Sequence, residues 1–333
     1  MSTSASTLTS PRKRILSGVQ PSGKLHLGNY FGAIRQHIDL QDTGECFYFI
    51  ADYHAMTTLQ DPQVLRENVQ DVALDYLALG LDPQKASFFR QSDVPEVTEL
   101  TWFLSTIAGM GLLERAHSYK DKVARGITPS VGLFTYPILM AADILAYRSH
   151  LVPVGQDQIQ HLEMTRDMAG SFNSTYKVDL FPLPEARLDV AAVVPGVDGK
   201  KMSKSYGNTI DIFAEGKPLK KVIMSIVTDS TPLEAPKNPA NCNVFALYSL
   251  VASPAEKEEL AAKYQAGGMG YGTAKTLLLE KLEYFFAQAR ARRKELVNNL
   301  DYVEKVLQQG ASKARAEAQQ TMDLARRAVG LRR

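Results

Sequence analysis

The sequence predicts an α/β protein with a doubly wound parallel sheet joined to a C-terminal helical domain. Two observations lead to this fold class. Short apolar runs alternate with segments of helical periodicity from Arg14 to about residue 155, and strand-like runs cease after about residue 215. Such alternation predicts a parallel sheet with helices on both faces, because parallel neighbours must be joined by crossover connections.

Four apolar runs predict the strands of this sheet. Each run is short and contains aromatic or branched residues, as buried strands do. They are residues 14–19 (RILSGV), 46–52 (CFYFIAD), 86–91 (ASFFRQ) and 150–155 (HLVPVG).

Helical signals lie between and after these runs. Asp61 and Pro62 are expected to open a helix and Gly80 to close it, because Asp caps free N–H groups and Gly adopts the left-handed conformation. A second helix is expected at about 135–147. The longest helical pattern after residue 215 is expected at about 274–298.

Composition limits the class of protein. The chain has 333 residues, 45% of them hydrophobic, and a net charge of +2, which suits two folded domains. Cys46 and Cys242 form no metal-binding or disulfide pattern, so no metal site is expected. The sequence contains no apolar run near the length of a membrane span. We expect a cytoplasmic protein with a disordered tail at 1–12, a catalytic domain at 13–210 and a helical domain at 211–333.

The pentapeptide Lys201-Met202-Ser203-Lys204-Ser205 is the most specific motif in the chain. Glycines at 196, 199 and 207 permit hinge-like backbone motion around it. The lysines supply positive charge and the serines supply hydroxyl donors, which suits a clamp on a triphosphate. A basic surface loop is the alternative reading.

A second motif, His26-Leu27-Gly28-Asn29, stands between the first expected strand and the helix that follows. A helix N-terminus presents free N–H groups and a positive dipole end to phosphates. Gly28 would let a flat adenine approach the backbone, and His26 and Asn29 can bond phosphate oxygens. By itself the motif is weak, since a histidine here also fits an ordinary surface position.

Together these motifs resemble the HIGH and KMSKS signatures of the class I aminoacyl-tRNA synthetases. Further segments resemble the bacterial tryptophanyl enzymes of that family, namely SGVQPSG (17–23), GLFTYPILMAADIL (132–145), VPVGQDQ (152–158) and VTDS (227–230). The resemblance covers nearly the whole chain from Arg14. It implies a Rossmann-like catalytic domain, a helical domain with anticodon contacts and a last helix that packs back on the catalytic domain.

The choice between tryptophan and tyrosine depends on a few positions. Tyrosyl enzymes typically place Gln three residues before an Asp on the specificity helix, where this chain has Met140 before Asp143. Tyr136, Met140 and Asp143 would share one helical face. Indole carries one N–H donor on a large apolar body, so one carboxylate beside a polarizable Met suits it.

The resemblance implies three groups of site residues. The expected catalytic residues are Lys201, Lys204, His26, Asn29 and Lys122. The expected ATP-binding residues are Gln20, Ser22, Gly28, Asn29, Asp157, Val194, Lys201, Met202, Ser203 and Lys204. The expected tryptophan-binding residues are Leu16, His54, Tyr136, Met140, Asp143, Val154 and Gln158.

The same resemblance implies ATP and Mg²⁺ as cofactors, and L-tryptophan, tRNA(Trp) and a second copy of the chain as partners. Residues 281–333 hold 12 Lys and Arg against 6 Asp and Glu, a weak nucleic-acid signal. It leads us to expect tRNA contacts from Arg290, Arg292, Arg293 and Lys294.

Several alternatives remain open. The chain can be a tyrosyl-tRNA synthetase, a small adenylate-forming nucleotidyltransferase or a catalytically silent tRNA-binding paralogue. Asp143 can instead form a salt bridge, for example with Arg148, while Met140 and Val154 can be core residues and Lys122 a surface residue. The chain also departs from the family pattern in HLGN, GQDQ and SYGN.

Overall fold

A five-stranded, all-parallel sheet forms the centre of the molecule, in the order β3-β2-β1-β4-β5. The computed structural model describes residues 12–116, 119–120, 124, 126, 130–188 and 193–332. The strands are β1 (Arg14–Val19), β2 (Glu45–Ile50), β3 (Ala86–Arg90), β4 (Leu151–Val154) and β5 (Glu185–Leu188). The strand order reverses between β1 and β4, so their carboxyl ends open a crevice.

Helices cover both faces of the sheet and make up the C-terminal part. Before β4 they are α1 (Leu27–Asn29), α2 (Arg35–Leu40), α3 (Asp52–Ala55), α4 (Pro62–Leu79), α5 (Glu96–Ser105), α6 (Met110–Glu114) and α7 (Val131–Ala146). After β4 they are α8 (Ile159–Tyr176), α9 (Gly216–Met224), α10 (Asn243–Val251), α11 (Pro254–Ala266), α12 (Tyr271–Phe285), α13 (Ala287–Val297) and α14 (Leu300–Ala328). A π-helical turn, Tyr30–Ile34, joins α1 to α2.

The predicted fold class is confirmed, and each of the four predicted strands corresponds to a strand of the sheet. The sequence did not predict β5, which has the sequence EARL and is exposed along its length. An edge strand of four residues without an apolar run carries no periodic signal. Domain limits at 210 and 211 stay a prediction.

Local capping explains the limits of α4. The Asp61 side chain accepts hydrogen bonds from the backbone N–H groups of Gln63 (2.8 Å) and Val64 (3.1 Å), and Pro62 occupies the first turn. Gly80 follows the helix with φ of 115°, a left-handed conformation that favours glycine. Both predicted ends of this helix are confirmed.

The longest helical pattern was predicted at about 274–298, but the longest helix is α14 (Leu300–Ala328), and the predicted segment divides into α12 and α13. Phe286 leaves the helical conformation between α12 and α13, with φ of −97° and ψ of 5°. Its ring is buried against Tyr30 and Phe31, at centroid distances of 5.2 and 6.5 Å. Tertiary packing of this aromatic ring accounts for the break, which helical periodicity does not reveal.

Two apolar clusters lie on opposite faces of the sheet. Alternation along the strands sends Ile15 and Tyr48 into one cluster and Leu16 and Phe47 into the other. The first cluster continues into the C-terminal helices through residues such as Leu278. The sheet and the helical part therefore share one continuous core on that face.

Helix α14 passes across the sheet edge from one cluster to the other. Its residues up to Leu307 belong to the first cluster, and those from Ala311 onward belong to the second. Gly310 lies between them, directly over the backbone of Phe88 in the edge strand β3. Covering an edge strand in this way removes a site of unwanted strand pairing.

Among the described residues, four arginine–carboxylate pairs tie α14 to the sheet and to α5. Two of the pairs, Arg14–Glu317 and Arg315–Glu96, have N–O distances of 2.6 and 2.8 Å. The other two are Arg90–Glu304 and Arg326–Glu99. Each pair contains at least one partly buried side chain, so together they fix the position of the helix more firmly than isolated surface pairs would.

Among the described residues, none of the helices has both the length and the apolar character needed to span a membrane.

Replacement of Gly310 by Ala is expected to destabilise the protein by about 1–3 kcal/mol, as overpacking does. The added Cβ would lie 2.0 Å from the carbonyl oxygen of Phe88, and both backbones are held in regular structure. Chemical denaturation measures the free energy of unfolding. Gly170→Ala in α8 is the matched control: no described atom lies within 4 Å of its Cβ position. We expect it to raise stability by up to about 1 kcal/mol. Equal effects of the two substitutions would contradict the close contact.

Candidate active site

The crevice between β1 and β4 deepens into a cavity of about 350 Å³. Residues of β1, β2 and β4 form its floor, and α3, α7 and the π-helical turn form its walls. A position beside the carboxyl ends of parallel strands, at the reversal of strand order, is where open α/β sheets bind ligands. The volume is within the range of small-molecule sites.

The cavity brings together residues that are far apart in the sequence. All seven predicted tryptophan-binding residues and the predicted ATP-binding residue Gln20 line it: Leu16, Gln20, His54, Tyr136, Met140, Asp143, Val154 and Gln158. Their ligand contacts stay predictions. Residues that the sequence did not single out complete the lining, among them Gln36 and His37.

Asp143 is buried at the base of this cavity, with 2% of its surface exposed. Its carboxylate lies 2.8 Å from Nε2 of His54, and it accepts from Nε2 of Gln91 at 2.8 and 2.9 Å. Among the described residues its partners are thus His54 and Gln91, rather than Arg148. Burial raises the pKa of Asp143, while the bonds from His54 and Gln91 oppose that rise.

Helix α7 carries Tyr136, Met140 and Asp143 to the cavity wall on one face, as their spacing predicted. The hydroxyl of Tyr136 lies 2.6 Å from Nε2 of His161 in α8. This contact fixes the tyrosine ring at the cavity mouth, and its ring also meets that of His54 edge to face.

The lysine motif contacts the loop that follows β1. Nζ of Lys204 donates to the carbonyl oxygens of Ser22 and Gly23, each at 2.9 Å. Burial lowers the pKa of Lys204, and the more distant Asp75 and Asp211 oppose this shift. The ammonium group is therefore held at the segment that leads from β1 to His26, where the sequence predicted phosphates.

Met202 joins the two sequence motifs. Its side chain is buried, and its Sδ accepts from the backbone N–H of Gly28 at 3.3 Å. Its own N–H donates to the carbonyl of the buried Val194 at 2.9 Å. The two motifs, 174 residues apart at these positions, are therefore in direct contact.

Asn208 fixes the shape of the loop that carries Lys201 and Lys204, which is called the lysine loop. Its buried Oδ1 accepts from the N–H of Ser203 at 2.8 Å, and its Nδ2 donates to Asp198 (2.7 Å) and to the carbonyl of Lys201 (3.1 Å). A Cβ on Gly196 would lie 2.3 Å from this amide nitrogen. The Asn208 amide therefore supports the loop, and position 196 requires glycine because a Cβ there would collide with this amide.

His26 caps α1 and is buried beneath the lysine loop. Its backbone N–H donates to Oδ1 of Asn29 at 3.1 Å, so Asn29 has a structural role at the helix start. Burial, together with the charge of Lys204, lowers the pKa of His26 to about 4, which keeps the ring neutral at pH 7. Within the described part of the chain, Nδ1 of this ring has no hydrogen-bond partner.

The remaining predicted residues occupy varied positions. Asp157 is exposed and accepts from Nε2 of Gln158 at 2.8 Å. Lys201 is exposed, and Ser203 hydrogen-bonds the hydroxyl of Ser205. Lys122 lies outside the described residues. No group of three or more His, Cys, Asp or Glu side chains that could hold a metal occurs among the residues that are described.

Sequence reasoning missed Gln91, His37 and the π-helical turn. Gln91 follows the carboxyl end of β3, a position whose side chains commonly face a ligand crevice. The π-helical turn follows the HLGN motif directly, and such turns often occur at functional sites. His37 lines the cavity and stacks on Tyr48 of β2. No local sequence pattern indicates this contact.

The expected tRNA contact from Arg290 needs correction, whereas those from Arg292, Arg293 and Lys294 stay predictions. Arg290 is buried and donates to the carbonyls of Ile212 and Leu282. Arg293 pairs with Asp71 and Asp75 of α4, and Lys294 pairs with Glu215. These cations hold α13 against the rest of the fold, so charge density in the sequence overstated the exposed positive surface.

The doubly wound sheet, the capped helix after β1 and the lysine loop above it define a class I tRNA synthetase. The family model described as tRNA synthetases class I (W and Y) matches residues 9–287, and the chain belongs to this family.

Individual members of this family differ in how similar they are to this chain. The chain is 60% identical to the tryptophan–tRNA ligase of Rhodopirellula baltica over 96% of this chain and 100% of the relative. The crystal structure of Campylobacter jejuni tryptophanyl-tRNA synthetase, complexed with ADP and tryptophan, has a TM-score of 0.91 and 52% identity, covering 95% of this chain and 99% of that one. The tyrosyl-tRNA synthetase of Archaeoglobus fulgidus, complexed with L-tyrosine, shares the fold at 22% identity and a TM-score of 0.64, covering 84% and 90% of the two chains.

Replacement of Asn208 by Ala is expected to loosen the lysine loop. It removes the acceptor of Ser203 N–H and a donor to Lys201, which should favour local opening by about 1–3 kcal/mol. Trypsin should then cleave after Lys201 or Lys204 about tenfold faster or more. Asn238→Ala, which removes a cap from a turn in another loop, is the control and should leave this cleavage rate unchanged. An unaltered rate in Asn208→Ala would argue against the support.

Proposed function

We propose that this chain is a tryptophan–tRNA ligase, which activates L-tryptophan with ATP and transfers it to tRNA(Trp) in the cytoplasm. The observation that carries this proposal is the cavity with one buried carboxylate, Asp143, among Met140, Val154 and Leu16. Relatives named tryptophan–tRNA ligase, similar over nearly the whole chain, support the same activity.

The cavity suits an indole better than a phenol. An indole ring offers one N–H, and Asp143 offers an acceptor beside the apolar side chains of Leu16 and Val154. Met140 and Leu16 supply polarizable and apolar surface for the large ring. Tyr136 and Gln158 at the rim are proposed to hold the ammonium and carboxylate groups.

ATP is proposed to bind above the carboxyl end of β1, as its magnesium complex. Magnesium is then part of the substrate, held mainly by phosphate oxygens, as is usual for this ion. The start of α1, beside Gly28, is proposed to face the phosphates with its positive dipole end. The neutral His26 is proposed to donate to a phosphate oxygen, and Asp157 is proposed to meet the ribose.

The first step needs no protein nucleophile. The tryptophan carboxylate attacks the α-phosphorus of ATP, the bond to the bridging oxygen breaks, and pyrophosphate leaves as tryptophanyl-adenylate forms. The protein positions the reactants and stabilises charge that develops on the phosphates. By resemblance to the family, the 2′-hydroxyl of the terminal adenosine of tRNA(Trp) then attacks the aminoacyl carbonyl, and AMP leaves.

Lys204 is proposed to exchange partners during this step. Without substrate its ammonium binds the carbonyls of Ser22 and Gly23, and a triphosphate offers it full negative charges instead. Charged acceptors form stronger hydrogen bonds than neutral carbonyls. Loop movement toward the leaving pyrophosphate would therefore couple ATP binding to chemistry.

ATP–pyrophosphate exchange with each of the twenty amino acids tests the proposal. Tryptophan-dependent exchange is the expected result. Exchange that depends on tyrosine would make the chain a tyrosyl enzyme, and absence of exchange with every amino acid would favour a silent tRNA-binding paralogue.

Replacement of Lys204 by Ala is expected to lower the rate of adenylate formation about a hundredfold, the usual effect of removing one contact to transition-state charge. Tryptophan affinity should change little, because Lys204 lies at the phosphate side. Single-turnover measurements of adenylate formation separate the two quantities. Lys200→Ala, an exposed lysine on the same loop, is the control. A rate near that of the wild type would remove Lys204 from this role.

We also propose a homodimer formed through α5, α6 and the start of α7. These helices pack on one another and expose Trp102 (68%), Met110 (63%) and Val131 (79%). Several large apolar side chains exposed on neighbouring elements favour a protein interface over contact with water.

Sedimentation at micromolar concentration is expected to give a dimer for the wild type and a monomer for Trp102→Glu, because a carboxylate at an apolar interface is costly. Tyr284→Glu changes an even more exposed aromatic side chain (83%) of α12 and should stay dimeric. A monomeric wild type would refute the dimer, and a dimeric Trp102→Glu variant would refute this surface.

A further inference from the structure

Gln91 connects three elements around the base of the cavity. It begins the short 3₁₀ turn Gln91–Asp93 after β3, and only 1% of its surface is exposed. Its side chain reaches Asp143 of α7 and the backbone of α3. It does not itself line the cavity, so its influence on a bound ligand would act through Asp143.

Backbone donors determine which way the Gln91 amide points. Its Oε1 accepts from the N–H of Tyr53 at 3.1 Å and from the N–H of His54 at 3.4 Å. A flipped amide would direct its NH2 group at these two donors, which is unfavourable. The amide nitrogen must therefore face Asp143.

This orientation selects one protonation state of Asp143. The amide nitrogen of Gln91 lies within bonding distance of both carboxyl oxygens, and Nε2 of His54 lies 2.8 Å from Oδ2. The Gln91 amide nitrogen can only donate, so an ionised carboxylate satisfies its contacts with both oxygens, whereas a proton on an oxygen that faces the amide would set one donor against another. Gln91 thus counteracts the burial that favours the neutral acid.

We propose that Gln91 is a positioning residue for amino-acid selection, which holds Asp143 as an oriented carboxylate that favours a substrate side chain with a ring N–H. The inference rests on the proposed tryptophan ligase activity and names what confers its selectivity. An exclusively structural role, in which Gln91 only fastens the β3 turn to α3, is the alternative.

Two substitutions separate these roles. Gln91→Glu keeps the size of the side chain and an acceptor for the N–H groups of Tyr53 and His54, but removes the donor and sets a second carboxyl against Asp143. Gln91→Met removes both donor and acceptor. Gln41→Met is the matched control, because Gln41 is also buried and bonded to backbone groups, at Gly80 and Asp82, outside the cavity lining.

The readout is selectivity for the ring N–H. ATP–pyrophosphate exchange compares kcat/KM for tryptophan with kcat/KM for β-(3-benzothienyl)-alanine, in which sulfur replaces that N–H. In both Gln91 variants the ratio should fall about ten- to hundredfold, the range for a hydrogen bond to a charged group. The loss should appear in KM for tryptophan, with KM for ATP unchanged. Gln41→Met should keep the wild-type ratio even if its melting temperature falls.

The outcomes are distinct. Tryptophan-dependent exchange in the wild type together with an unchanged ratio in Gln91→Glu would overturn the inference, whatever the melting temperature. A lowered ratio in Gln91→Glu supports it even where Gln91→Met fails to fold. Absence of tryptophan-dependent exchange in the wild type would instead overturn the proposed function, on which the inference depends.

Discussion

The reversal of strand order between β1 and β4 is the constraint on which the rest of the structure depends. Two parallel strands whose connections lead to opposite sides leave their carboxyl ends uncovered, and the crevice between them cannot be filled by either connection. The elements that line the cavity lie beside the carboxyl ends of β1 and β4. The capped start of α1, the π-helical turn and the wall of α7 are all placed by that one topological feature.

Two different electrostatic environments meet along this crevice. At its base, Asp143 is a buried acid that accepts from the Gln91 amide and is hydrogen-bonded to His54. At its mouth, burial and Lys204 keep His26 neutral, while Lys204 itself rests on backbone carbonyls. The base therefore holds a buried acceptor, and the mouth carries a lysine whose present partners are neutral carbonyls, which is compatible with the proposed exchange for phosphates.

Helix α14 links the distant end of the chain to this site. It lies on β3 through Gly310, and its Glu304 pairs with Arg90 at the end of the same strand. Gln91 is the next residue and holds Asp143. The C-terminal helix thus stabilises the strand end from which the base of the cavity is supported, so a glycine far from the cavity in sequence contributes to its geometry.

The sequence by itself determined the sheet class, four strands and the ends of α4, since apolar periodicity and caps are local signals. The residues that meet in the cavity were expected from the resemblance to a known family. Only the tertiary structure decided that Arg290 is buried, that Phe286 divides a helix, and that Gln91 rather than Arg148 accompanies His54 at Asp143. Each of these depends on partners more than thirty residues away. Local patterns cannot report such partners, because burial and pairing arise only when the chain packs against itself.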